Sequence, residues 1–463
     1  MLLLPLAIPW FLAVPLALLD GRRRWVGWLA VAGLGASFLA TLRLALVVAA
    51  RGPQTVVAGG WAPGVGITLR ADALGVAFAL LSAGVLLAAL AYEVLGGVHE
   101  APLPALVLGL ATGLTGLFLT GDAFNFYVFF ELAMISSFVL ASYGRPGHRA
   151  SELRAALLFT VVNLLGSTLF LAGITALYRV TGTLEMAGIA ARFEDVEPNS
   201  AILIAATIFV AFGIKLGLFP FHFWLPPVYR DAWPAVAAIL SGALANIGGY
   251  GLIRFGGELL ARELRFAAPA LLALGALSVL YGAIQAVAAR TATEMLAYSS
   301  ISNAGYILIA LALGGPVGYA AAVLFALVNA LNKTLLFLAT GSRGWLVGAA
   351  FAVGAFSVAG VPPSAGFFGK AALFRGGVAP ADPRWGAVVL GLLFLGSALA
   401  FVYMFRIYQR DYWERPAPAP ASALGPRLLL LALAGLVVAV GLWPEPLLAL
   451  SAQAAGVLRG GRP

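Results

Sequence analysis

The stretch TGDAFNFYVFFELAMISSFVLASYG, residues 120–144, decides the fold class. It is long and apolar enough to cross a bilayer as a helix, yet it carries one carboxylate, Glu131, among aromatic residues. Three other apolar runs each carry one of the chain's three lysines, Lys215, Lys333 and Lys370. Ionisable side chains are costly in lipid and usually functional there. These four residues are therefore the first candidates for chemistry within a membrane.

Composition places the whole chain in the same class. The 463 residues are 62% hydrophobic and 10% charged, whereas charged residues make up about a quarter of a typical soluble domain. The net charge of +9 comes from arginines between the apolar runs, a pattern of membrane topology and not of nucleic-acid binding. With no cysteine, this chain cannot supply thiolate iron–sulfur ligands or thiol redox chemistry.

The apolar runs predict an all-α, polytopic membrane protein with about fourteen transmembrane helices. Arg22, Arg23 and Arg24 follow the first run, so we interpret it as a membrane span and not as a cleaved signal peptide. The arginines of the loops favour both termini outside. The predicted spans are 2–19, 25–50, 71–95, 102–120, 123–143, 152–178, 201–225, 232–254, 266–288, 293–314, 317–340, 345–375, 385–408 and 426–443.

Spans 7 and 12 are predicted to be broken helices. Pro220 follows Lys215, and Pro362 and Pro363, with Gly360 and Gly366, should open the second helix about two turns before Lys370. Broken helices at membrane depth are tolerated where they face protein or a wet cavity. Two of them, five spans apart and each beside a lysine, indicate two structural repeats, as in many transporters.

Glu131 and Lys215 are interpreted as a pair. Pairing favours the charged form of each side chain, and burial favours the neutral form. Separating the pair would therefore promote proton release from the lysine, and re-forming it would promote proton uptake. The alternative is a static ion pair that only fixes helix packing. His222, just past Pro220, could pass protons or simply bond a loop carbonyl.

Polar residues of the later spans could hold a chain of water molecules between the lysines, or could join helices by hydrogen bonds. They are Ser299, Ser300, Ser302, Asn303, Asn329 and Asn332. Asp122 and Asn125 are expected to cap the fifth span. His99 and His148 are expected to be solvated loop residues. The sequence contains no phosphate-binding loop, dinucleotide fingerprint, metal-ligand cluster or nucleophile motif, so we expect no cofactor and no metal.

Six motifs carry a resemblance to a known family. They are TGDAFNFYVFFE (120–131), YRVTGTLEMAGIAARF (178–193), GIKLGLFPFHFWLP (213–226), LAYSSISNAGYILIAL (296–311), NKTLLFLATG (332–341) and GVPPSAGFFGK (360–370). In this order they resemble the antiporter-like membrane subunits of Mrp-type cation/proton antiporters, respiratory complex I and membrane-bound hydrogenases. The first motif and TGTLEMA look most like the D subunit of Mrp antiporters.

The resemblance implies two inverted five-helix repeats. The expected organisation is a three-helix segment at 1–95, a first repeat of helices 4–8 at 102–254, a second repeat of helices 9–13 at 266–408, and a terminal helix and tail at 426–463. It also implies a Glu–Lys pair at Glu131 and Lys215, and lysines in spans 11 and 12 at Lys333 and Lys370.

The chain departs from the family pattern at four positions. Asn246 replaces a lysine of the eighth span, Asn303 and Asn329 replace histidines, and Pro227 stands where an acidic residue is expected. Asparagine can orient water but cannot carry a proton. These three asparagines and His222 are therefore candidate water-relay positions.

Three functions remain open. The first is a proton-translocating subunit of a multisubunit Na⁺ or K⁺/proton antiporter. The second is a proton-pumping subunit of a complex I-like NADH:quinone oxidoreductase or membrane-bound hydrogenase, with all catalysis in partner subunits. The third is a degenerate scaffold. Each predicts a multi-pass protein of the inner, cytoplasmic membrane with other membrane subunits as partners, and none involves nucleic acid.

Overall fold

Helices form almost all of this computed structural model, which describes residues 1–61, 66–144, 149–378, 383–414 and 424–458. A helix satisfies its own backbone hydrogen bonds, as lipid requires of a spanning segment. The predicted all-α fold class is confirmed.

The N-terminal part contains five helices. It also contains one short β-hairpin, which the sequence did not predict. Asp72 and Asp122 cap the third and fifth helices by accepting from the backbone N–H of Gly75 and Asn125, so the predicted capping role of Asp122 is confirmed. The hairpin strands are antiparallel, with Gln54 opposite Ala71. The elements are α1 (Leu4–Ala17), α2 (Arg24–Arg51), β1 (Gln54–Val57), β2 (Thr68–Ala71), α3 (Ala73–Gly96), α4 (Leu103–Phe118) and α5 (Ala123–Ala141).

The next part contains the first broken span. Its first half ends at Leu216 because Gly217 takes a left-handed conformation, with φ of 71°, which only glycine adopts without strain. The helices are α6 (Arg149–Thr181), α7 (Met186–Phe193), α8 (Pro198–Leu216), α9 (Leu225–Asp231), α10 (Pro234–Ile239) and α11 (Asn246–Gly251). A 3₁₀ turn, Phe221–Trp224, precedes α9, and π-helical turns extend α10 and α11 into one helical span, Pro234–Leu259.

The last part contains the second broken span, between α15 and α16. Gly360, with φ of 85°, ends its first half. The helices are α12 (Ala261–Ala288), α13 (Ala292–Leu313), α14 (Gly315–Ala339), α15 (Trp345–Ala359), α16 (Ala365–Val378), α17 (Pro383–Tyr408), α18 (Leu424–Leu442) and α19 (Glu445–Val457). The sequence did not predict α19, which packs against α14 and α3.

Among the described residues, eleven helical segments are long and apolar enough to cross a membrane. Three shorter apolar helices, α1, α4 and α15, accompany them. The chain is thus a multi-pass membrane protein. The span Pro234–Leu259 and helix α14 are almost wholly buried, whereas α2, α17 and α18 expose most of their apolar side chains. The interior of the molecule therefore lies around the helices that carry the candidate polar residues.

Candidate functional site

Lys215 lies at the end of α8 and is buried, with 3% of its surface exposed. Its Nζ is 2.6 Å from Met134 Sδ and 3.3 Å from Asn163 Oδ1. The aromatic rings of Phe130 and Phe159 lie on either side, with centroids 5.7 and 5.5 Å from Nζ. The amine is therefore held by a thioether, an amide oxygen and two ring faces, all of them uncharged.

Glu131 lies on α5, about one turn before Met134, and is partly buried. One of its carboxylate oxygens accepts a hydrogen bond from the hydroxyl of Ser167 on α6. Among the ion pairs of the described residues, none joins Glu131 to Lys215. The structure brings the two residues to one junction of α5, α6 and α8, but gives each its own partner. Their direct pairing stays a prediction.

Side chains pair with two backbone groups on either side of the break after Lys215. The indole of Trp224 donates to the carbonyl of Ile214 at 3.0 Å, and the N–H of Phe219 donates to the hydroxyl of Ser278 at 3.1 Å. Irregular backbone can persist at membrane depth when protein groups satisfy it in this way. The lysine is thus carried on a fixed helix end.

His222 lies in the 3₁₀ turn after the break and is buried. Its ring packs against Tyr281 at 4.4 Å and Phe219 at 5.5 Å between centroids. Its Nδ1 has no hydrogen-bond partner among the described residues. His222 therefore stays a candidate water-relay position.

Lys333 lies in α14 and is fully buried. Its Nζ donates to the carbonyl oxygen of Leu296 on α13 at 3.0 Å. That carbonyl also accepts from the hydroxyl of Ser300 at 2.9 Å. As with Lys215, the partner is a neutral oxygen.

Two of the three candidate asparagines contact each other. Asn303 on α13 donates from Nδ2 to Oδ1 of Asn329 on α14 at 2.6 Å. Asn246 instead donates to the carbonyl of Gly242 in its own helix at 2.7 Å. The structure therefore joins α13 and α14 through an amide pair and leaves Asn246 apart from it.

Lys370 lies in α16, beyond the second break. Its Nζ donates to the carbonyl of Ala359, the last residue of α15, at 3.1 Å, and lies 5.6 Å from the ring centroid of Tyr306. A helix C-terminus favours a cation at this position.

A cavity of about 10 Å³, enough for about one water molecule, lies between Lys370 and the amide pair. Asn332 also lines it, and the buried Oδ1 of this residue has no partner among the described residues. Asn332 is thus the polar residue of the later spans that is best placed to hold water beside Lys370.

A cluster of four charges, which the sequence did not indicate, lies at one end of α3. Arg254 forms a fork to Asp72 with distances of 2.8 and 2.7 Å and also contacts Glu258 at 2.7 Å. Arg70 contacts Asp72 at 3.0 Å and Glu258 at 2.6 Å. Burial alone would raise the pKa of the Asp72 carboxyl, but Arg254 and Arg70 outweigh it and hold that pKa below its usual range.

His99 is exposed on its loop, as expected. It also has partners: its Nδ1 lies 2.5 Å from a carboxylate oxygen of Glu93, and its ring stacks on Trp233 at 4.1 Å. The hydrogen bond to Glu93 raises the pKa of His99. His148 lies outside the described residues.

Sequence reasoning missed the side chains that hold the Glu131 and Lys215 groups. Asn163, Ser167 and Met134 supply these contacts. The available signal was the spacing of Asn163 and Ser167, two polar residues four positions apart in an apolar run.

Comparison with known proteins gives consistent similarities. A family model described as NADH:quinone oxidoreductase/Mrp antiporter, TM, matches residues 120–346. The chain is 32% identical over 435 residues to the putative antiporter subunit mnhD2 of Staphylococcus aureus (strain Mu3 / ATCC 700698), covering 89% of this chain and 86% of that protein.

Two solved structures share its fold. A chain of the Mrp complex from Dietzia sp. DQ12-45-1b matches with a TM-score of 0.91 and 26% identity, covering 99% of this chain and 97% of that one. A chain of respiratory complex I from Thermus thermophilus with bound NADH matches with a TM-score of 0.84 and 26% identity, covering 99% of this chain and 100% of that one.

Proposed function

We infer the function of this chain from its family: it belongs to the NADH:quinone oxidoreductase/Mrp antiporter membrane subunits, and among these it is a protein of the D type found in Mrp antiporters. Its function is that of a cation/proton antiporter-type subunit. We propose that it translocates protons within a multisubunit antiporter that exchanges them for Na⁺ or K⁺. Other membrane subunits of the same complex are its partners.

One observation carries this proposal. All three lysines are buried, and among the described residues none forms an ion pair with a carboxylate. Their partners are neutral: Met134 and Asn163 for Lys215, and backbone carbonyls for Lys333 and Lys370. Without a counter-ion, burial disfavours the charged form of an amine, so such a lysine can release a proton as well as bind one, which suits a carrier.

In the proposed route, Lys215 is the first carrier and Glu131 modulates it. Lys333 is the middle carrier, and Lys370 is the exit. The Asn303–Asn329 pair and the small cavity beside Lys370 support a water-mediated step in the last part of this route.

The test uses inside-out membrane vesicles that contain the complete complex. Addition of NaCl or KCl should dissipate a preformed pH gradient, and Lys215→Ala or Glu131→Ala should abolish this response while the complex still assembles. Thr112→Ala is the control, since among the described residues the partner of this buried hydroxyl is the Leu108 carbonyl of its own helix, at 3.0 Å. Full activity in either variant would refute proton translocation through Lys215 and Glu131.

A second function is favoured by the complete overlap with a complex I chain. In it, the same lysines would pump protons in a complex I-like NADH:quinone oxidoreductase or membrane-bound hydrogenase, with catalysis in partner subunits. Antiport without any electron donor would support the antiporter. Iron–sulfur, flavin or nickel subunits that co-purify from native membranes would support the redox-driven complex.

We also propose that the protein lies in the inner, cytoplasmic membrane with both termini outside. We propose in addition that residues 102–254 and 266–408 form two inverted repeats. Both broken spans end their first half at a left-handed glycine, Gly217 or Gly360, which supports the repeats. Reporter enzymes fused at each terminus would test the orientation.

A further inference from the structure

Two polar side chains of α6 contact the two members of the Glu131 and Lys215 couple separately. Ser167 donates its hydroxyl hydrogen to Glu131, and Asn163 presents Oδ1 to Lys215 at 3.3 Å. The two α6 residues are about one helical turn apart, and both are buried, with 2% and 1% of their surfaces exposed. One face of one helix therefore serves both ionisable groups.

The hydroxyl of Ser167 behaves differently from the threonine hydroxyls of the same helix. Each of those donates to the carbonyl four residues earlier, at 2.7–2.9 Å, in Thr160, Thr168, Thr175 and Thr181. Such back-bonding is the default for a hydroxyl in an apolar helix. Ser167 instead contacts Glu131 on a neighbouring helix, so this bond is a tertiary one.

The amide of Asn163 is oriented by its own helix. Its Nδ2 donates to the carbonyl of Phe159 at 2.9 Å, which directs Oδ1 toward the amine of Lys215. An amide oxygen can accept a hydrogen bond from either form of the amine. Asn163 therefore gives Lys215 a partner that does not depend on Glu131.

We propose that Asn163 and Ser167 are positioning residues that stabilise a separated state of the Glu131–Lys215 couple. The proposal rests on the proposed function, in which this couple loads and releases protons. With a neutral partner ready for each group, the pair opens without leaving a buried charge unsatisfied, which would otherwise oppose opening strongly.

The separated state favours release of the proton from Lys215. Among the described residues, Glu131 is the charged group that acts on this amine. The other groups around it are uncharged: Asn163, Met134 and the rings of Phe130 and Phe159. Moving the carboxylate from ion-pair distance to Ser167 therefore weakens the main electrostatic support of the ammonium form.

The test is the pH profile of antiport in vesicles that contain the complete complex. Ser167→Ala removes one contact of the separated state. The state in which Glu131 and Lys215 form an ion pair therefore becomes relatively more stable, and Lys215 keeps its proton to higher pH. The acidic limb of the profile should move to higher pH by about one unit, a tenfold change in proton concentration, with the maximal rate retained. Ser167→Thr keeps the hydroxyl and should restore the wild-type profile.

Thr168→Ala is the matched control, because it removes the next hydroxyl of α6, which is exposed and donates to the Leu164 carbonyl of its own helix. Its profile should superimpose on that of the wild type. Asn163→Leu is the second variant and should shift the profile in the same direction as Ser167→Ala.

A Ser167→Ala profile identical to that of Thr168→Ala, at equal amounts of assembled complex, would overturn the inference. If the complex with Ser167→Ala does not assemble, the pH profile of Asn163→Leu is used instead. An Asn163→Leu profile without a shift would also overturn the inference. Neither result would contradict the proposed function. That function is refuted only if Lys215→Ala or Glu131→Ala remains fully active.

Discussion

Arg254 is the charged side chain whose loss should destabilise this protein most. It has 1% of its surface exposed and forms a forked ion pair with Asp72, which is fully buried. It also contacts Glu258 at 2.7 Å and donates to the hydroxyl of Tyr250 at 3.0 Å. These bonds tie the end of the span Pro234–Leu259 to the start of α3.

The change Arg254→Met keeps most of the side-chain volume and removes the charge. Asp72 would retain only Arg70, at 3.0 Å, and the backbone N–H of Gly75, at 2.9 Å. Breaking a buried pair by removing one partner costs about 3–5 kcal/mol. Because Arg70 still contacts both carboxylates, we expect the free energy of unfolding to fall by about 3 kcal/mol, at the lower end of that range.

The assay is thermal unfolding of the purified complex in detergent, compared at equal protein and lipid content. Arg22→Met is the matched control, since its pair with Glu100, at 3.5 Å, leaves 59% of the arginine and 41% of the glutamate side chain exposed. Such surface pairs contribute about 0–1 kcal/mol. Equal stability of the two variants would refute the reasoning. The double variant Arg254→Met/Asp72→Asn should recover part of the loss, because it removes the orphaned charge.

Two further predictions concern loops and helix breaks. Gly360→Ala should lower both stability and antiport, because Gly360 has φ of 85° and an added Cβ would lie 2.7 Å from Lys370 Cδ. Gly435→Ala, at a helical position with open space, should lower neither, since alanine favours a helix more than glycine does. An equal loss in both variants would contradict the prediction. Glu93→Gln should remove a stabilisation that wild type shows at acidic pH. The Glu93 carboxylate raises the pKa of His99 above its ordinary value of 6.5. The contribution of this contact to folding stability is therefore complete below pH 6.5 and is lost as pH rises through the raised pKa. Thermal unfolding of both proteins across pH measures this, and parallel curves would argue against it.

Local sequence features were enough to predict an all-α chain of apolar spans with two broken helices. Long apolar runs predict helices because lipid leaves the backbone no other partner. Pro362 and Pro363, with Gly360, marked the second broken span, and Gly360 ends its first half. Pro220 marked the first broken span, although the residue that ends its first half is Gly217. Gly217 acts through a left-handed backbone conformation, which the sequence indicates only once the position of the helix end is known.

Contacts between distant parts of the chain could not be predicted in the same way. The pair of Asp72 and Arg254 joins residues 182 positions apart. A single sequence without its packing does not say which of many buried groups will meet. The same limit applies to the site: Lys215 was predicted as an ionisable residue inside the membrane, but its contacts with Met134 and Asn163 depend on how α5, α6 and α8 pack.

The two broken spans use their lysines differently, and this bears on the proposed direction of transfer. Lys215 precedes its break, and the nearby carbonyl of Ile214 is already taken by the indole of Trp224. Lys370 follows its break and reaches back to the carbonyl of Ala359 at the C-terminus of α15. Both lysines lie at the C-terminal end of a helix, which favours a cation. Lys370 bonds a terminal carbonyl there, whereas Lys215 has a thioether, which is a weak acceptor, and an amide oxygen at the longer distance of 3.3 Å. In the proposed route, a proton released from Lys215 would therefore be held more favourably at Lys370. The Asn303–Asn329 pair cannot carry a proton, so its role in the route would be to order the water molecules that carry it.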